Sequence, residues 1–283
     1  MLTAEDRDVL GMALETPRAS RPSAVSQILR ALNDDLEHGI AAWKFSGSTS
    51  HPAGYNMVVA TGRAMRVRAH ALAHRVYSSR GYVSAADESP LPAFDGDPRT
   101  LTLLAQDDAG HDVGTVSLVF DSTALLPCDE IYSAELAGLR AQGRRMAEVT
   151  RLAIDERHQL SSTLLIRLFN FIYIFARRVN GLDDFVIEVN PRHVAYYRRL
   201  LGFVQEGPER PCPRVRGAPA VLMRLDLAEG ERTIRSVAGK RACSHARSLY
   251  PHFYSWLEEG AVAEFLARSH PPMSPDAARF ELK

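Results

Sequence analysis

An acid and an arginine stand three residues apart in the apolar run AEVTRLAID, residues 147–155: Glu148 and Arg151. A carboxylate placed beside a reacting group can take its proton, and such assistance is worth about 10²–10⁴-fold. A planar guanidinium can grip another carboxylate through two parallel hydrogen bonds. Side chains alternate along a regular strand, so these two would face opposite ways. One extra residue between them, a β-bulge, would bring both to one face. If they act together, the spacing predicts broken pairing around Val149–Thr150; otherwise they are charges paired at a strand end.

A second constellation is NPRHVAYYRRLLGF, residues 190–203, which follows the apolar run Asp184–Val189 and closes on Leu-Gly-Phe. Asn190-Pro191 reads as a turn and helix start. His193, near the N-terminus of that helix, would bind protons less readily because of the helix dipole, as a secondary base or as a capping residue. Tyr197 would offer a phenolic proton or simply pack. His70 and His74, four apart, have the spacing of a metal pair, but no third ligand stands nearby, so no metal is assigned.

These residues need elements to hold them. Val25, Ile28, Leu29, Leu32 and Leu36 recur at helical spacing, and residues 1–54 read as a helical N-terminal extension ending in the loop SGSTSHPAG. A strand over Tyr55–Ala60 and a helix over Arg63–Arg80 come next. LTLLAQDDAGHDVGTVSLVF, residues 101–120, is a hairpin. An insertion from Asp121 to Arg145 precedes a strand over Met146–Ile154. A helix over Ser161–Val179, a strand over Asp184–Val189, a helix over Arg192–Leu201 and strands near Phe203 and Ala220–Leu227 complete residues 55–228. Residues 229–283 read as a helical C-terminal extension. Periodicity alone gives a mixed α/β class.

Composition narrows the partners. Thirty-four basic and 34 acidic residues cancel, so nothing draws the chain to nucleic acid or an acidic membrane. Lysine occurs only at Lys44, Lys240 and Lys283. Cys128, Cys212 and Cys243 are scattered, which suggests neither disulfides nor zinc. The N-terminus has no secretory pattern, and Leu164–Phe175 is too short to span a bilayer and carries Arg167 and Asn170. A cytoplasmic protein with no integral membrane segment is expected.

The blocks HRVYSSRGY (74–82), GTVSLV (114–119), LPCDEIY (126–132), AEVTRLAI (147–154), VNPRHVAYYRRLLGF (189–203) and GAPAVLMRLDL (217–227) resemble, in this order, the N-acyl amino acid synthases. These are GNAT-fold acyltransferases related to the acyl-homoserine-lactone synthases. The resemblance implies a GNAT-like α/β fold over 55–228, a mixed central sheet flanked by helices. It also implies transfer of a fatty acyl group from acyl carrier protein to an amino acid's α-amine. Glu148 would then be the base, with Arg151 orienting it or holding the substrate carboxylate. Tyr197 would protonate the leaving thiolate or line the acyl channel, and the backbone of Val149 and Thr150 would polarise the thioester carbonyl, with Asn190 and His193 beside the substrate. Of the lactone synthases' charged cluster, Asp95, Glu148 and Arg151 fit, whereas Ala73, Pro92 and Ser117 replace charges; this argues against an S-adenosylmethionine-binding lactone synthase.

No cofactor is expected to be bound; the co-substrate would be acyl-phosphopantetheine on the carrier, or acyl-CoA. CoA-dependent relatives cradle the pyrophosphate in a glycine-rich loop before the helix, but DERHQLSSTLL, residues 155–165, has no glycine, which favours the carrier. Arg157, Arg167, Arg192, Arg198 and Arg199 would form a docking face for an acidic carrier protein, and part of LLIRLFNFIYIF would line the acyl pocket. The alternatives are a CoA-dependent small-molecule N-acetyltransferase and a non-catalytic acyl or carrier-protein binding module.

Overall fold

The computed structural model describes residues 55–270 except 85–90, 92, 98, 159–161 and 240–247. The expected N-terminal helices, Pro92 and residues 271–283 lie outside the described residues. The chain builds one mixed sheet from β1 (Asn56–Val59), β2 (Leu101–Gln106), β3 (Asp112–Phe120), β4 (Met146–Ile154), β5 (Asp184–Val189), β6 (Val204–Gln205), β7 (Arg210–Cys212) and β8 (Ala218–Asp226). Its order is β1-β2-β3-β4-β5-β8-β6, with β7 pairing on β8. All pairs are antiparallel except β4 and β5, which run parallel side by side in the middle.

Helices cover both faces. On one lie α1 (Arg63–Ser79) and α2 (Asp129–Ala141). On the other lie α3 (Ser162–Tyr173, continued as a wider turn over Ile174–Val179), α4 (Val194–Leu201), α5 (Leu227–Val237) and α6 (Trp256–Ser269). Alternation sorts β4 and β5 between them: Met146 and Val186 pack with the α2 side, Ala147, Val149, Phe185 and Ile187 with the α3 side. The C-terminal segment shares that second core through Ile234, Tyr250, Phe253 and Leu266. No described helix is long and apolar enough to cross a membrane.

The Leu-Gly-Phe signal has a physical reading. Gly202 takes a left-handed conformation (φ 79°) at the end of α4, its N–H bonding Arg198 O while Phe203 N–H bonds Tyr197 O. These bonds satisfy the helix's orphan carbonyls and turn the chain back to the sheet.

Neither α2 nor β7 was expected. The supposed insertion 121–145 contains α2, whose Tyr132, Leu136 and Leu139 are buried at i, i+4 and i+7. β7, with Pro211 inside it, pairs at the end of β8. Tyr132 pins α2 in place: its hydroxyl lies 2.7 Å from Ala220 O and 2.9 Å from Pro208 O. A Cβ on Gly207 would sit 2.8 Å from that ring and 3.1 Å from Leu222 Cβ. Gly207→Ala is therefore expected to cost about 1–3 kcal/mol in a urea melt, because the fully buried ring has nowhere to move.

Candidate active site

The register of β4 decides where its side chains point. It pairs with β5 only over Met146↔Asp184, Ala147↔Phe185 and Glu148↔Val186; beyond Glu148 the register gives it no partner on β5. On the other side β3 pairs continuously through Val149 and Thr150, then slips: Ser117 faces Thr150 but Thr115 faces Ala153. The bulge thus falls at Arg151–Leu152, after the expected Val149–Thr150 position. Arg151 is the additional residue and has φ 53°, a left-handed conformation that costs a residue other than glycine about 1 kcal/mol or more. The bulge puts Arg151 on the face of Glu148, while Leu152 packs with the opposite core.

Arg151 does not reach Glu148. Its guanidinium pairs with Asp95, 2% exposed, and lies 4.7 Å over the Phe94 ring. Arg66 fixes that turn from α1, donating to the carbonyls of Asp95 (2.7 Å) and Thr100 (3.0 Å). Arg151 therefore holds the Phe94–Asp95 wall, correcting the expectation that it orients Glu148. The group that orients Glu148 is the amide at the head of α2: Cys128 N–H donates to Glu148 Oε2 at 2.7 Å.

Beyond the last β4–β5 pair the two strands border a cavity of about 600 Å³. Glu148, Val149, Thr150, Arg151, Asn190, His193 and Tyr197 all line it, so the structure brings together every expected catalytic and substrate-binding residue. Burial raises the Glu148 carboxyl to about 7, with the nearby Glu188 adding to the effect and the Cys128 hydrogen bonds opposing it. A carboxyl poised near neutrality is able to take up a proton at physiological pH. Burial, then Arg192 and Arg80, lower His193 to about 4. It is a neutral imidazole whose Nε2 accepts from Arg192 Nε at 3.2 Å. Burial keeps the Tyr197 phenol protonated, a donor and not a base. Asn190 is a cap, its Oδ1 accepting from Arg192 N at 3.2 Å.

Glu188 and Arg214 complete the site and were missed. Glu188, on β5, lines the cavity and pairs with Arg214, which also donates to Pro127 O (2.5 Å) and Glu130 (2.6 Å). Burial raises the Glu188 carboxyl, and Arg214 opposes it. The acid was legible in the strand FVIEV; its position beside Glu148 depends on which strand is the neighbour. His70 and His74 line the same cavity with ring centroids 6.2 Å apart. Among the described residues no group of three His, Cys, Asp or Glu is placed to hold a metal.

Arg157, Arg192, Arg198 and Arg199 are exposed or partly so, at the C-terminal ends of β4 and β5 and along α4. Arg167 is not part of that face: it is buried, its guanidinium 4.5 Å over the Tyr254 ring. No described α3 side chain lines the cavity, because that helix is spent on packing between the sheet and the C-terminal segment.

A mixed sheet whose central parallel pair parts beside a buried carboxylate is a GNAT-like acyltransferase fold. The profile of the N-acyl amino acid synthase FeeM matches residues 68–226, more than half the chain. The structure of FeeM from uncultured soil microbes is 30% identical over 63% of this chain and 93% of that one, with a TM-score of 0.56. The AHL synthase LasI is 21% identical, covering 62% and 91% (TM-score 0.48). A mutant spermidine N-acetyltransferase SpeG from Vibrio cholerae is 18% identical, covering 64% and 99% (TM-score 0.44). None of the curated proteins matches. The chain belongs to the FeeM family of N-acyl amino acid synthases and is an acyltransferase of that class.

Proposed function

We propose that this chain moves a long-chain acyl group from the pantetheine thioester of acyl carrier protein to the α-amine of an amino acid, in the cytoplasm. The observation that carries the reading is Glu148: a buried carboxyl, raised to about 7, on the wall of a cavity between parting strands. Glu148 takes a proton from the acceptor's ammonium, and the freed nitrogen attacks the thioester carbon. Backbone amides between Val149 and Leu152, left without a β5 partner, polarise the carbonyl oxygen as preorganised donors. The C–S bond then breaks as the C–N bond is completed, and the nitrogen gives up its second proton to solvent as the amide forms. A thiol ionises near pH 8.5, so the thiolate departs readily, and Tyr197 or solvent returns a proton to it.

The carrier is favoured over CoA by the glycine-free segment 155–165 and by the exposed Arg157, Arg192, Arg198 and Arg199 at the cavity's end of the sheet. With purified protein and amino acids, kcat/KM is expected to be higher from a long-chain acyl carrier protein than from the same acyl group on CoA. Reversing Arg198 and Arg199 to Glu should raise KM for the first donor and spare the second. Preference for acetyl-CoA would establish the acetyltransferase reading, and thioester binding without turnover the non-catalytic one. The acid limb of kcat/KM is expected near pH 7, since Glu148 must be ionised to act. His193, already neutral down to about pH 4, cannot produce it.

A further inference from the structure

We infer that Glu188 forms, with Glu148, a two-carboxylate cradle that binds the acceptor as its ammonium ion, with Arg214 as the counter-charge that holds Glu188 in place. The inference rests on reading the cavity as the acceptor's site. Strand register places the two acids: Glu148 lies opposite Val186, and Glu188 follows two residues later, so alternation keeps it on the same face. Both line the cavity. One oxygen of Glu188 accepts from Arg214, but Oε1 is buried and has no hydrogen-bond partner. A buried acceptor without a donor is costly, and the Glu188 side chain borders the cavity, where a bound ligand could supply one. An ammonium offers three N–H donors and a charge, whereas a neutral amine offers two donors and none.

The surrounding charges point the same way. Glu188 is faced by Glu148 from β4, by Cys212 and Arg214 from β7 and the turn after it, and by Glu130, Tyr132 and Cys128 from α2 and its head. Among these described neighbours Arg214 alone is cationic, set against the three carboxyls of Glu148, Glu188 and Glu130. Two adjoining carboxylates resist ionising together. A cation between them removes that resistance, so the cradle gains its charge as the ammonium binds, and Glu148 is then the acid placed to remove the proton. One carboxylate already prefers an ammonium to a neutral amine, and a second beside it strengthens that preference.

The test uses the full chain, with kcat and KM measured against pH for the best-used standard amino acid, in wild type, Glu188→Gln and Arg214→Gln. Glu188→Gln should raise KM for the acceptor roughly tenfold or more, leave KM for the acyl donor unchanged, and move the acid limb to lower pH by roughly one unit. Arg214→Gln should move that limb the other way. Unchanged acceptor KM in Glu188→Gln, or a limb that moves in the same direction in both variants, would overturn the cradle. If Glu188→Gln does not fold, the direction of the limb in Arg214→Gln decides. Calorimetric titration with the standard amino acids separates this inference from the reading it rests on. A wild type that binds an amino acid, loses it about tenfold in Glu188→Gln, yet transfers no acyl group would refute the transferase reading and keep the cradle. A wild type that binds none would refute the cradle.

Discussion

Glu148→Gln is expected to lower kcat for acyl transfer by about 10²-fold or more, and to do so in a fully folded protein. The carboxylate sits at 2% exposure, where its charge is a cost to the fold, not a support. An amide of the same shape can still accept the Cys128 N–H bond, so the melting temperature should stay equal or rise. The loss should fall on kcat more than on the acceptor's KM, because Glu188 remains to hold the ammonium. The acid limb near pH 7 should vanish with the activity. Turnover within a few-fold of wild type would remove Glu148 from the chemistry.

Arg151→Met should be the most destabilising change in the site, by about 3–5 kcal/mol in a urea melt. The reason is what stays behind: Asp95 is 2% exposed and would be left buried without the guanidinium that answers it. The bulge would lose an anchor as well, since Asp95 and Phe94 secure the side chain of this left-handed residue. Asp95→Asn with Arg151→Met should recover much of the loss, because no buried carboxyl is then left without its partner. A single-variant cost below about 1 kcal/mol would mean that the pair is solvated and the wall is held by packing.

What could be read in the sequence depended on the range of the deciding interaction. Met146–Ile154 and Asp184–Val189 have the same ends in the structure as in the sequence reading, because each apolar run is bounded by residues that cannot continue it. The Glu148–Arg151 spacing signalled a bulge, yet its position and Arg151's partner depend on β3 and on Asp95, which no local pattern reveals. Arg167 looked like a docking residue because nothing nearby shows that Tyr254 covers it. α2 went unseen: its three buried positions have helical spacing, but they lie in a polar segment that reads as an insertion. Glu188 illustrates the same limit. A glutamate in an apolar strand is visible, but its meaning comes from the neighbour two residues out of register, and from an arginine delivered by the turn after β7.

The most direct measurement is lipid mass spectrometry of a heterologous host expressing the chain, set against the same host expressing Glu148→Gln at equal protein level. The account predicts new N-acylated amino acids with the wild type and their near-absence with the variant, which fixes reaction and acceptor together. Equal amounts of such products from both proteins would contradict the placement of the acylation chemistry at Glu148. Their absence from both, despite folded protein, would contradict the acyl transfer itself.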